Sequence, residues 1–313
     1  MKRVIQVLGP TGVGKSRLAL KLAQEIEGEI ISADSMQVYR DFNIGTAKLD
    51  RVQQKKVPHH LIDIISDCSQ YNAARFLNMS FRLSEDIIRR GLIPVICGGT
   101  ALYLRTMIRG IFPEQKQIKI SREELNQQAR REGLASLWGK LKRIDPEYAA
   151  KIDPGDRIRI IRGLEIYYNQ GIIPTEIFKK TETPFKGYLF IRIGLILNRD
   201  ELYARINERV DRMLDSGFIR EVQLLREKYP VNCPPFGSIG YKEISMYLDG
   251  EVDLETSIGL IKQHTRNFAK RQLSWFRQES DITWFDPSRY DRITRWVKLQ
   301  LSDKEHGDQG LNV

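Results

Sequence analysis

Val4-Ile5-Gln6-Val7-Leu8-Gly9-Pro10-Thr11-Gly12-Val13-Gly14-Lys15-Ser16 decides the fold. Its first five residues are the kind of apolar run that a strand buried on both faces requires. The last eight match G-x-x-x-x-G-K-[ST] at every fixed position. Beyond them, Leu18, Leu22 and Ile26 recur at i, i+4 and i+8, one face of a helix over residues 15–27. Strand, glycine-rich turn and helix, in that order, are the context a phosphate-binding loop needs. Glycines let backbone N–H groups curl around phosphate oxygens, and the helix N-terminus adds the positive end of its dipole. Lys15 brings a compact positive charge, and the Ser16 hydroxyl is a ligand for Mg²⁺. Gly9, Pro10, Thr11, Gly12, Val13, Gly14, Lys15 and Ser16 are therefore expected to cradle two adjoining phosphates.

Downstream, residues 29–32 read as a short second strand, 72–90 as a helix, and 93–97 as another buried strand closed by Gly98-Gly99. Such alternation predicts an α/β fold with a parallel sheet. From Phe112 the pattern turns helical. Ser121-Arg122-Glu123-Glu124 combines an N-cap serine with a glutamate three residues on, and 134–144, 147–152 and 156–168 continue the series. Strand character returns at 188–197, followed by helices at 199–214, 218–228 and 254–278. The expected organisation is a P-loop α/β core, 1–112 with 188–313, carrying a helical insertion at 113–187. Residues 302–313 read as a polar, frayed tail.

Composition narrows the field. With 41% hydrophobic and 29% charged residues, the chain is neither disordered nor fibrous. Its apolar runs are far short of a membrane span. The opening Met1-Lys2-Arg3 leads into too short an apolar stretch for a signal peptide. Cys68, Cys97 and Cys233 are odd in number and widely spaced. Neither a disulfide nor a cysteine zinc site is expected, and a reducing cytoplasm is the expected compartment. Fifty Lys+Arg against forty Asp+Glu leave a net charge of +10. That surplus suits a polyanion through counterion release, and it equally serves solubility.

The loop motif does not say what its phosphates are attached to. A switch or motor NTPase calls for an apolar strand ending in Asp, yet residues 92–97 run into Gly98-Gly99-Thr100, and His60-Leu61-Ile62-Asp63 has only two apolar residues before its acid. Two chemistries stay open: a phosphoryl donor in a small-molecule kinase, or a diphosphate that departs as a leaving group. Ser32-Ala33-Asp34-Ser35-Met36-Gln37-Val38-Tyr39 begins where the second strand ends, on the sheet edge where ligands collect. Asp34 can take a proton, and Gln37 can bond a purine through two atoms. Taken alone, Asp34 reads as a helix cap. His59 and His60 read as structural hydrogen-bonders, and Trp275 and Phe276 as core.

Together these segments resemble the tRNA dimethylallyltransferases. The resemblance runs along nearly the whole chain. It includes the loop at 9–16, Asp34-Ser35-Met36-Gln37-Val38-Tyr39, Ile44-Gly45-Thr46-Ala47-Lys48 and Pro58-His59-His60-Leu61-Ile62-Asp63. It continues through Gly98-Gly99-Thr100-Ala101-Leu102-Tyr103, Arg159 with Arg162-Gly163-Leu164-Glu165, Ile239-Gly240-Tyr241-Lys242-Glu243, and Thr265-Arg266-Asn267-Phe268-Ala269-Lys270-Arg271-Gln272. It implies transfer of a dimethylallyl group from dimethylallyl diphosphate to N6 of adenine 37, beside the anticodon in the tRNA anticodon stem-loop. Mg²⁺ is the implied cofactor, and a monomer is expected.

By the same resemblance Asp34 is the base, Thr11 lies near the bridging oxygen, and Arg209 binds the diphosphate. Ser35, Met36, Gln37 and Thr100 would hold the adenine once it leaves its stack. Arg122, Ile158, Arg159, Ile160, Ile161 and Arg162 would meet the tRNA. The chain departs from the family at Ile158, where a glutamine is usual, and no cysteine follows Cys233 to build the zinc finger of eukaryotic relatives. The first bears on one tRNA backbone contact, with Arg159 and Arg162 retained, and the second marks the resemblance as bacterial in type.

Overall fold

The computed structural model describes residues 1–112 and 119–302. The expected boundary at 113 and the tail at 303–313 lie outside the described residues. The chain divides into two compact units, one made of 1–105 and 185–313, the other of 106–184.

The first unit opens with β1 (Lys2–Leu8), α1 (Lys15–Glu25), β2 (Gly28–Ser32), a single-turn α2 (Arg51–Gln54), β3 (His59–His60), α3 (Ala73–Arg89) and β4 (Ile93–Gly98). Helix α4 (Ala101–Arg109) follows. The second unit is helical: α5 (Arg122–Glu132), α6 (Leu134–Ile144), α7 (Pro146–Ala150), α8 (Arg157–Gln170) and α9 (Pro174–Phe178). The first unit resumes with β5 (Tyr188–Leu195), α10 (Arg199–Asp215), α11 (Phe218–Lys228), a 3-10 turn at Pro234–Gly237, α12 (Tyr241–Leu248), α13 (Leu254–Phe276), β6 (Thr283–Phe285) and α14 (Tyr290–Ser302).

Six parallel strands form one sheet in the order β3-β2-β4-β1-β5-β6. Val4, Ile5, Val7 and Leu8 are fully buried, as expected of a strand covered on both faces. Leu18 and Leu22 of α1 pack into the same core as Ile191 and Ile193 of β5 and Ile206 of α10. Because β2, β4 and β1 are neighbours, their carboxyl ends lie side by side. The residues after Leu8, Ser32 and Gly98 therefore open onto one edge, where an α/β sheet binds its ligands.

In the second unit, Leu125, Leu137, Leu141, Ile160 and Leu164 form a separate core. Ser121 and Glu124 make the reciprocal capping box that starts α5. This unit runs from Thr106 to Pro184. Its two ends are pinned together: Ile111 bridges Glu182, and the Thr183 hydroxyl donates to the Met107 carbonyl at 2.6 Å.

The cysteines require a correction. Cys68 and Cys233 form a disulfide with their Cα atoms 4.9 Å apart. A sequence separation of 165 residues conceals the pair, and folding of the first unit brings the loop after β3 to the turn before Pro234. Cys97 is the free thiol among the described residues, and it is buried.

Candidate active site

The loop after β1 takes the shape its glycines allow. Gly9, Gly12 and Gly14 all have positive φ, and a Cβ on Gly9 would lie 2.6 Å from the Leu195 carbonyl oxygen. Gly14 caps α1 in the left-handed region, so the first free N–H groups of the helix point out of the turn. Lys15 folds back and donates to the Pro10 carbonyl at 2.8 Å. Burial lowers its pKa to about 8; Arg209 adds to the lowering, while Cys97 and Asp34 oppose it.

From α10, the Arg209 guanidinium donates to the Thr11 hydroxyl at 3.0 Å, and burial lowers its pKa as well. Two cations from distant parts of the sequence, crowded into a poorly hydrated wall, are an arrangement that a polyanion relieves.

At the end of β2, Asp34 does two jobs. Its Oδ1 accepts from the N–H groups of Met36 at 2.8 Å and Gln37 at 3.2 Å, an Asx-type turn. Among the described residues, its Oδ2 takes no protein hydrogen bond, and the side chain lines the cavity. The capping reading of Asp34 therefore describes one oxygen, and a proton acceptor remains in the other. Gln37 is already engaged: its Oε1 accepts from the Ser32 hydroxyl and its Nε2 donates to the Thr46 carbonyl, both at 3.2 Å. One N–H and one lone pair are left for a ligand.

Thr11, Lys15, Ser16, Asp34, Ser35, Met36, Gln37, Thr100 and Arg209 all line one cavity of about 420 Å³. That volume lies in the range of small-ligand sites. Val210, Met213, Ile239, Ile261 and Phe268 supply apolar wall, and Arg271 adds a third cation. The lining thus combines phosphate-binding groups, an acid and amide, and an apolar surface.

Sequence reasoning named most of this wall and missed part of it. Gln272 bridges two of the loops and was visible only as the last residue of a motif. The Gly237–Gly240 segment, which also lines the cavity, carries no chemical signature. His59 and His60 are hydrogen-bonded to the Val57 carbonyl at 2.7 Å and the Glu29 carboxylate at 2.8 Å. Phe276 is core, while Trp275 is half-buried beneath the Arg105 guanidinium, 4.2 Å from its ring centre.

The basic series on α13 divides. Lys262 pairs with Asp211, His264 with Glu243, and Arg266 with the Asn207 amide. Lys270 and Arg277 open, with Arg199, onto a second cavity of about 340 Å³.

Within the helical unit, Arg122 and Arg162 share the Glu165 carboxylate at 2.8 and 2.6 Å. Arg159 is exposed beside Asp156, and Ile158 is 82% exposed. Ile160 and Ile161 are different: both side chains are buried in the unit's core. Their place in the expected RNA-contact segment is corrected to packing, because the i+1 and i+2 neighbours of exposed Arg159 turn inward on a helix.

A family model described as IPP transferase matches residues 37–279. The chain belongs to this family. It is 44% identical over 304 residues to a tRNA dimethylallyltransferase of Halothermothrix orenii, covering 96% of this chain and 93% of that one. It is 40% identical over 303 residues to the tRNA dimethylallyltransferase of Bacillus subtilis, with 96% and 94% covered. Among solved structures, a full-length tRNA isopentenylpyrophosphate transferase from Bacillus halodurans superposes with a TM-score of 0.72 at 38% identity, covering 97% and 98% of the two chains. A eukaryotic dimethylallyltransferase acting on tRNA gives 0.78 at 33% identity, covering 97% of this chain and 79% of that one. The family's fold is the α/β sheet with a P-loop seen here, and membership of this transferase family, rather than the fold, removes the kinase alternative left open by the loop motif.

Proposed function

We propose that this chain, as a cytoplasmic monomer, transfers the dimethylallyl group of dimethylallyl diphosphate to N6 of adenine 37 in tRNA. The observation that carries this reading is the meeting of Asp34 with Lys15 and Arg209 on one cavity. The adenine amine is a weak nucleophile because its lone pair is delocalised into the ring. N6 forms a bond to the allylic carbon as the carbon–oxygen bond to diphosphate breaks, and the surplus N6 proton passes to Asp34 Oδ2. Charge accumulates on the departing oxygens, where Lys15, Arg209 and the N–H groups opening α1 lower its energy. The apolar wall of Val210, Met213 and Ile261 suits a five-carbon chain and keeps water from an allylic centre with cationic character.

Ser16 would hold Mg²⁺. Ser16 is an exposed residue that lines the cavity beside Cys97, and no group of three or more His, Cys, Asp or Glu side chains able to hold a metal occurs among the described residues. One hydroxyl plus substrate phosphates is the sparse donor set that Mg²⁺ accepts. When bound, it would supply further charge neutralisation at the diphosphate. The tRNA contacts proposed in the helical unit are Arg122, Ile158, Arg159 and Arg162. A cytoplasmic setting now rests on the tRNA substrate, since two of the three cysteines are paired. Among the described residues, no helix is long and apolar enough to cross a membrane.

Asp34→Asn tests the proposal. The amide oxygen still accepts from Met36 and Gln37, so the turn survives, while the free proton acceptor is lost. The single-turnover rate of label transfer from dimethylallyl diphosphate to unmodified tRNA should fall by about 10²–10⁴. Dissociation constants for both substrates should stay within a few-fold of wild type. Transfer at the wild-type rate would remove Asp34 from the chemistry.

A further inference from the structure

Gln272 lies on α13, 261 residues from Thr11 and 173 from Gly99, and its amide joins both. Its Oε1 accepts from the Thr11 backbone N–H at 2.8 Å, and its Nε2 donates to the Gly99 carbonyl at 2.8 Å. Only 5% of the residue is exposed. A Cβ on Gly99 would lie 2.3 Å from Gln272 Nε2, so that glycine leaves room for this amide and for little else.

The position of the bridge matters. Strands β1 and β4 are registered as far as Leu8 and Gly98, and no ladder pairing continues past them. Beyond that point one chain becomes the diphosphate loop and the other leads into Thr100. Gln272 ties the two loops one to three residues after the ladder stops. Because the Thr11 N–H is occupied by this bond, Thr11 offers the cavity its hydroxyl, which is held by Arg209 at 3.0 Å.

We infer that Gln272 is a positioning residue that sets the distance between the diphosphate loop and the acceptor side of the cavity. The inference rests on the prenyl-transfer reading above. The two substrates approach from different loops, and reacting atoms must come within about 3–3.5 Å in line. A side-chain amide that bonds a donor N–H on one loop and an acceptor carbonyl on the other fixes that spacing through the two backbones it joins.

Gln272→Met keeps length and apolar bulk but makes neither bond. In single turnover at saturating substrates it should lower the transfer rate about 10–100-fold, while the dissociation constant for inorganic diphosphate changes less than threefold. Gln272→Glu keeps the acceptor toward Thr11 and loses the donor toward Gly99 unless protonated. Its rate relative to wild type should therefore recover as pH falls from 8 to 6, a trend that loss of packing would not produce. Hydrogen exchange supplies a readout independent of activity: inorganic diphosphate should protect the 98–103 amides in wild type and not in Gln272→Met. A wild-type rate for Gln272→Met, a loss confined to KM, or no diphosphate-dependent protection at 98–103 in wild type would each overturn the inference. Failure of wild type itself to label tRNA would instead overturn the prenyl-transfer reading, and the exchange experiment would still decide the clamp.

Discussion

Lys15 should make diphosphate binding depend on pH in a way that no other group in the cavity can imitate. Without ligand its pKa is lowered from 10.5 to about 8 by burial, with Arg209 adding to the effect. A bound diphosphate restores the charged form, so binding above pH 8 must be accompanied by proton uptake. With a pKa of about 8, the ammonium is about 90% protonated at pH 7 and about 10% at pH 9. The lysine's contribution to affinity should thus fall by roughly tenfold between those pH values, about 1.4 kcal/mol. Diphosphate also loses a proton in this range, which favours binding at higher pH and masks the trend. Lys15→Arg, whose guanidinium stays charged throughout, removes that masking when the two proteins are compared. Calorimetric titration of inorganic diphosphate at pH 7, 8 and 9 should show the wild-type affinity falling about tenfold relative to the arginine variant. The same shift bears on stability with a definite sign. Between pH 8 and 10.5 the unfolded chain binds more protons at this site than the folded one, so folding stability rises with pH across that window. The ligand-free wild type should gain melting temperature over that window relative to Lys15→Met. Parallel pH profiles for wild type and Lys15→Arg would refute the pairing of a titrating Lys15 ammonium with the diphosphate.

Gly98→Ala would place a methyl 2.2 Å from the Ala33 carbonyl oxygen, forcing β4 from the residue before Asp34; thermal melts should show about 1–3 kcal/mol of destabilisation, with a loss of transfer rate. The Cys68–Cys233 disulfide predicts one reactive thiol in denaturant without reductant and three with it. On the chain-entropy account, reduction should cost up to about 5 kcal/mol for so long a loop, and three thiols before reduction would refute the pairing. Arg159→Ala should weaken tRNA binding and reduce the slope of log affinity against log salt by about one, leaving diphosphate affinity unchanged; an unaltered slope would take Arg159 off the RNA.

The fold was legible wherever the signal is local and repeated. Buried strands of a parallel sheet are uninterrupted apolar runs, and β1 and β4 could be read directly from residues 4–8 and 93–97. The helix α1 announced itself by its apolar spacing, and α5 by its capping box. What escaped has a physical reason in each case. Strand β3 is His59–His60 alone, and β6 is Thr283–Phe285, both too short to show a period. Their pairing with β2 and β5 comes from tertiary placement at the sheet's two edges. The disulfide was concealed by distance, since nothing near Cys68 or Cys233 marks the other as its partner.

The candidate site divides along the same line, and Asp34, Gln37 and Gln272 show why. Asp34 was identifiable because an acid at the end of a strand beside a phosphate loop has chemistry of its own. Cap and base stood as alternatives there, because both require the same residue type; that one oxygen caps the turn at Met36 and Gln37 while the other stays open is visible only in the fold. Gln37 was expected to bond a purine, and the fold spends much of its amide on Ser32 and Thr46. A base could claim that amide fully only by breaking bonds that hold the loop at 46. Gln272 is the opposite case, with no reactive group and a position defined by two backbone atoms far away in sequence. A glutamine on an amphipathic helix has no local mark of such a role, because the marks lie elsewhere: in Gly99, which cannot carry a side chain, and in Thr11, whose N–H would otherwise be unpaired. Residues that touch substrates can be read from their own chemistry. Residues that hold those residues in place become readable only from the backbone atoms they bind, and those atoms have no letter in the sequence.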